Sequence, residues 1–290
     1  MHLLCWLILL TAAYPVWRAW QANRRTSLVQ AVHWAMIAWA AWGIPLAMAN
    51  RGSPAAMTAA CYVALSLTGC AGVAVLGARR PGVTAWNFVV GALLAVDLLP
   101  LARSIFRGRP MDLETVHILC IAGTIAVAVL NYLPTRLAPA TLLLLVGSTL
   151  VLDALLNDAH ADRRRRHILE IGWLALACVP WVAYGSVRGQ GSAASEFDRL
   201  WLDYRNRFGL VWAQRLREQF NRSATHAGWP VVLRWQGLRL LPGASLPDVE
   251  MQADIVDTLR ALTKRFRREE DSSPTTEIAD PAETTQSERK

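Results

Sequence analysis

Charge is scarce in this chain. Only 18% of its 290 residues are Asp, Glu, Lys or Arg, against roughly 25% in an ordinary soluble domain. Lysine is almost missing, since all but Lys264 and Lys290 of the 30 basic residues are arginine. That bias fits the codon usage of a GC-rich genome and is not read as arginine-specific recognition. Paired cysteines are missing too. Cys5, Cys61, Cys70, Cys120 and Cys178 all fall inside apolar blocks, none forms a C-x-x-C pair, and the polar C-terminal part has none. A disulfide framework and a zinc ribbon are thereby unsupported, and each cysteine is expected to pack as a small apolar residue. No G-x-S-x-G elbow and no H-E-x-x-H pair occurs, so two common hydrolase signatures are absent. Gly72 and Gly77 have the first spacing of a phosphate loop, but Ala78 and Arg79 stand where Lys and Ser/Thr are required.

Apolar sequence dominates what remains. Hydrophobic residues make up 53% of the chain, and the mean hydropathy is +0.25. The first 187 residues run in blocks close to the ~20 residues that cross a hydrocarbon layer of ~30 Å. Candidate spans lie at 3–20, 28–49, 55–77, 83–103, 115–133, 138–156 and 168–187. A backbone in lipid must satisfy its own hydrogen bonds, so these spans are expected to be helices. The predicted fold class is an all-α integral membrane domain of about seven transmembrane helices over 1–187. A linker at 188–195, a small α+β (α-β-β-α) module at 196–268 and an acidic disordered tail at 269–290 follow. The first block has no basic lead and no small-x-small cleavage site before Arg18, so it is expected to be a retained span. Trp17, Trp20, Trp34, Trp86, Trp173 and Trp181 are candidate interface anchors.

Sidedness is poorly determined by charge. Alternating loops carry nearly equal arginine, so the positive-inside rule does not decide. The absence of a basic residue before the first span favours the N-terminus outside and the C-terminus in the cytoplasm. The Arg163 to Arg166 run favours the opposite, unless the fourth block, with Asn87, Asp97 and Pro100, is re-entrant. A weak echo repeats Val90-Gly91, Asp97 and Arg107 at Val146-Gly147, Asp153 and Arg163, which pairs spans four and five with spans six and seven. Internal repeats occur in transporters, although apolar helices match one another easily by chance.

Beyond the linker, Glu196 to Arg222 has helical periodicity. Phe197, Leu200, Trp201, Tyr204, Phe208, Val211, Trp212, Leu216 and Phe220 form one stripe, predicting a helix whose aromatics pack a core. The competing expectation is a helix lying on the bilayer with arginines toward anionic headgroups. Residues 231–235 and 238–241 around Gln236-Gly237 predict a hairpin. Asp248 predicts the start of a second helix.

Ionisable groups in apolar blocks are the intramembrane candidates: Asp97, Asp153, Asn87, Glu114, His117 and Glu170. A charge at mid-membrane costs at least ~2.5 kcal/mol, so such a group pairs, takes a proton or faces water. The bland expectation for Asp97 and Asp153 is that they reach the interface or pair with an arginine. Surface or partner candidates are Trp201, Tyr204, Arg205, Phe208, Trp212, Arg217, Trp229, Arg234 and Trp235. His33 and His117 raise haem ligation only faintly, and no cofactor or metal is expected. The leading functional expectation is a non-enzymatic scaffold or complex subunit, whose C-terminal module docks a partner or the bilayer surface. A small ion- or proton-coupled transporter using Asp97 and Asp153 is the alternative, and a lipid-headgroup enzyme the third. The lipid bilayer, a membrane-complex partner and a second copy are the expected partners, and nucleic acid is not. The expected location is a cell membrane, namely a bacterial inner membrane.

Overall fold

A computed structural model describes residues 1–49, 53–78, 83–109, 111–157, 162–189 and 195–266. Twelve helices and one hairpin are found among them: α1 (His2–Thr11), α2 (Ala13–Asn23), α3 (Val29–Ala41), α4 (Gly43–Met48), α5 (Pro54–Ala74), α6 (Val83–Asp97), α7 (Leu99–Arg107), α8 (Thr115–Tyr132), α9 (Ala138–Leu156), α10 (Asp162–Arg188), α11 (Glu196–His226), β1 (Val231–Arg234), β2 (Gly237–Leu240) and α12 (Val249–Lys264). Six helical stretches are long and apolar enough to cross a membrane, and up to seven if the bent pair α6 and α7 is one span. The protein is therefore mostly helical, with a small two-stranded sheet near its C-terminal end. Large apolar side chains such as Leu3, Phe88 and Leu119 point outward, as lipid-facing residues do. The expected linker lies largely outside the described residues, and the acidic tail wholly so.

Small residues set the helix packing. A Cβ on Gly69 would collide with Thr124, and one on Gly72 with Ala128. The two numberings rise together, so α5 and α8 run in the same direction. In contrast, α6 runs against α5, because Trp86 Nε1 donates to the Val73 carbonyl at 3.2 Å and the Tyr62 hydroxyl donates to the Asp97 carbonyl at 2.5 Å. Helices α9 and α10 are also antiparallel. Gly147 and Gly172 meet at their crossing, and Arg165 Nε donates to the Ala154 carbonyl at 2.9 Å. The 56-residue echo does not extend to this packing. A Cβ on Gly91 would meet nothing within 4 Å, whereas Gly147 is closed in by Leu176 and Gly172.

One sequence expectation fails inside the bundle. Trp173 is only 4% exposed and lies in the interior of α10, edge-on to His2 at 5.8 Å. It is a core residue and not an interface anchor, because α1 covers it. Trp17 and Trp20, by contrast, stack on each other at the end of the first span.

The C-terminal module closes onto one end of this bundle. Trp212 Nε1 donates to the Val75 carbonyl at 3.2 Å, and the Val211 amide donates to Asn131 Oδ1 at 3.1 Å. Trp235 Nε1 reaches the Pro134 carbonyl at 2.9 Å, and the Ser27 amide reaches the Phe266 carbonyl at 3.0 Å. The hydrophobic core follows the same contacts. Leu28, Ala31, Cys70, Ala74 and Val75 of the bundle share one cluster with Phe197, Trp201, Phe208, Trp212, Ile255 and Leu259.

The first helix of the module is broken, although its periodicity predicts a single helix. Gly209 sits at φ 76 and ψ −171, a region open essentially to glycine alone. There α11 splits into two arms that fold back until the rings of Phe197 and Phe220 lie 5.2 Å apart. Asn131 fills the space where a Cβ on Gly209 would go. The hairpin is as expected, with Val231 opposite Leu240 and Arg234 opposite Gly237. Asp248 caps α12, its side chain accepting from the Met251 amide at 2.8 Å.

Candidate functional site

Asp97 is the last residue of α6 and is 0% exposed. The local sequence explains the position. Pro100 has no N–H, so the carbonyl four residues earlier loses its helical donor. Past Leu98 the chain turns by 42° into α7. The Tyr62 hydroxyl, by binding the Asp97 carbonyl, ties this end of α6 to α5.

The side chain beyond that tie is enclosed but unsatisfied. Neither carboxylate oxygen accepts a hydrogen bond of normal geometry. The Cys120 thiol and the His117 ring of α8 are the neighbours that act on its charge, and no Arg or Lys among the described residues joins them. His117 is buried with its Nδ1 unpartnered, and so is the hydroxyl of Ser66, one turn along α5 from Tyr62. Cys70 also feels the Asp97 charge. Three helices thus bring a carboxyl, an imidazole, two hydroxyls and the Cys120 thiol toward one polar core, while Cys70 lies further along α5, against the Val90 carbonyl. Tyr62 lies eight residues beyond Pro54, or ~12 Å into the bundle. His117 stands in the first turn of α8. The cluster therefore lies nearer the end of the bundle opposite the C-terminal module.

The bland expectation for Asp97 fails on this geometry, since the carboxyl neither reaches the surface nor pairs with an arginine. An ionised carboxylate there costs several kcal/mol unless water, a cation or a proton compensates it. Chemically, the arrangement suits uptake and release of a proton, with the His117 imidazole as a second acceptor. Among the described residues no group of three or more His, Cys, Asp and Glu is placed to hold a metal ion.

The other intramembrane candidates do not join Asp97. Asp153 accepts from Asn157 Nδ2 at 2.6 Å in the last turn of α9, and it is not among the groups acting on Asp97. Asn87 lies ten residues back along α6 and is half-buried. Glu114 is exposed and forms an ion pair with Arg103 at 2.7 Å. Glu170 faces His167 at 3.8 Å. Asp97, Glu114 and His117, which a lipid-headgroup enzyme would use for acid–base work, are thus divided between interior and surface. His33 accepts from Trp20 Nε1 at 3.2 Å, at the opposite end of the bundle from His117, so the two do not face each other across a haem.

Several candidates for a partner surface turn inward. Trp201, Tyr204, Phe208 and Trp212 are buried. Phe266 meets Tyr204, Phe208 and Trp212 at ring separations of 5.0 to 5.6 Å. The aromatic stripe forms a core between α11, α12 and the bundle, and it is not a face for lipid. Burial pushes the Tyr204 phenol well above its ordinary pKa, against the opposing charge of Arg265. Arg205 is buried as well and donates to the Trp235 carbonyl at 2.7 Å and to Asn206 Oδ1 at 3.1 Å. Loss of hydration holds its guanidinium below the usual range, and Arg136 adds repulsion. Trp229 and Trp235 are half-buried, Trp229 against Phe220 at 6.4 Å. Arg217 and Arg234 remain accessible on one groove.

Sequence reasoning passed over Tyr62, Ser66 and Gly209, and read Cys120 only as a small apolar residue. A hydroxyl or thiol in an apolar block carries no local signal, and Gly209 sits inside a periodic helical stretch. No protein-family model, no curated protein and no solved structure matches the chain.

Proposed function

We propose that the protein is a non-enzymatic membrane transporter of seven spans that carries protons, in which Asp97 takes up and releases the proton beside His117. The observation that carries this reading is the enclosed Asp97 carboxyl, with no counter-charge, at a break between two half-helices. Discontinuous helices are where transporters commonly hold their coupling ion. Asp153 has no part in the site.

Seven spans are supported by the parallel run of α5 and α8. The chain leaves α5 at one end of the bundle and enters α8 at the other, so residues 78–114 cross back. Helix α6 has 15 residues and α7 has 9. At 1.5 Å per residue and with the bend, the pair reaches ~32 Å, enough for a hydrocarbon layer of ~30 Å. A re-entrant fourth block would leave α5 and α8 antiparallel. The C-terminal module then shares a side with the chain around residues 24, 78 and 135, and that side is read as the cytoplasm.

The test uses the full chain in proteoliposomes containing a pH-sensitive dye. Wild type carries protons down an imposed gradient, and Asp97→Asn abolishes the flux while leaving the melting temperature close to wild type. Infrared difference spectra should show a protonated-carboxyl band that Asp97→Asn removes. Equal flux in wild type and Asp97→Asn refutes the reading.

A further inference from the structure

The outer face of the C-terminal module carries a second feature, unrelated to Asp97. The distal arm of α11 and strand β1 enclose an open groove of ≈ 510 Å³ lined by Arg217, Arg222, Arg234 and His226, with Asn221 and Glu218 between them. Arg217, Asn221 and Thr225 repeat at four-residue steps on α11, as do Arg222 and His226, so they share one side of the helix. Arg234 faces them from the hairpin.

Two observations bear on what this groove can hold. First, its geometry is held. Asn221 accepts from the Leu233 amide at 2.7 Å and donates to the Leu233 carbonyl at 3.2 Å, which clamps β1 to the helix. Second, the arginines lack acceptors. Arg207 pairs with Asp203 at 2.8 Å, Arg260 with Asp257 and Glu196, and Arg265 with Gln219, so those side chains are engaged within the fold. What sets the groove apart from the remaining surface arginines is that three guanidinium groups line one concavity. Arg217, Arg222 and Arg234 meet no carboxylate among the described residues. The one acid of the groove, Glu218, accepts from Gln214 Nε2 at 3.1 Å.

We infer that this groove binds a phosphate-bearing ligand. Guanidinium forks match phosphate oxygens in pairs, and three of them around one site provide for at least two negative charges. The volume lies in the range of small-molecule sites, which fits a single phosphorylated group. A lipid headgroup and a soluble phosphate share this chemistry.

Two probes distinguish the sources: pyrophosphate, and a short-chain phosphatidic acid, whose phosphomonoester also carries up to two negative charges, below its micelle concentration. Each is titrated by calorimetry into the purified full chain in a neutral detergent at fixed ionic strength. Saturable binding of at least one probe is expected. Each single change, Arg217→Gln, Arg222→Gln or Arg234→Gln, should weaken it about tenfold, and the triple variant should abolish it. Arg199→Gln with Arg239→Gln, outside the groove, should leave it unchanged. Binding of pyrophosphate alone assigns a soluble ligand, and binding of the lipid alone or more tightly assigns a headgroup. Failure of both probes to bind overturns the inference. So does equal loss in the control pair, which would mark general charge attraction. An unchanged melting temperature in the triple variant separates lost binding from lost folding.

Discussion

Replacing Gly209 with alanine should unseat the C-terminal module from the bundle. The backbone at φ 76 and ψ −171 strains an L-residue by about 1–3 kcal/mol. A Cβ there also runs into the Asn131 side chain and backbone. Asn131 must then move, and its bond to the Val211 amide, 3.1 Å long, is lost at a net cost of ~1 kcal/mol. Together these give ~2–4 kcal/mol, or roughly a 30- to 700-fold shift in the docking equilibrium. Hydrogen exchange reads this directly, because amide protection in 196–226 falls by the same factor when exchange proceeds through local opening. Gly91→Ala is the matched control, since a Cβ there meets nothing within 4 Å and the helix gains up to ~1 kcal/mol in propensity. Unchanged protection in Gly209→Ala would refute the account of how the module is held.

Two further outcomes follow from the same contacts. Trp212→Phe keeps most of the ring but removes one of two donors to the Val75 carbonyl, which keeps the Ala78 amide, so it should destabilise the protein by ~0.5–1.5 kcal/mol, read as a lowered thermal midpoint in detergent. Glu114→Gln breaks an ion pair whose side chains are 50% and 55% exposed; solvent screening limits the loss to ~0–1 kcal/mol, and a drop of several degrees in the midpoint would contradict that.

Much of the membrane architecture is legible in composition. An apolar block of about twenty residues has few physical alternatives to a spanning helix, and six of the candidate spans coincide with long apolar helical stretches, the fourth falling on the bent pair α6 and α7. Local chemistry was legible too, as at the Asp248 cap and the hairpin around Gln236-Gly237. The site was half legible. Asp97 and His117 stand out because ionisable groups are costly in lipid, but nothing in the sequence brings them together. Asp153 carries the same signal as Asp97, yet it lies at a helix end with Asn157 for company. A one-dimensional pattern records that a charge sits in an apolar block, and not which neighbour faces it.

The break at Gly209 has the same origin. A stripe at steps of three and four marks which residues are buried together, and two arms folded about a glycine bury them as well as one straight helix does. Helix identity, caps and turns follow from interactions within a few residues, so the amino-acid order carries them. The direction of α5 relative to α8, the enclosure of Asp97 and the inward face of the aromatic stripe depend on contacts between residues tens of positions apart. Only packing in three dimensions decides those, because the free energy of each contact depends on the partner that meets it.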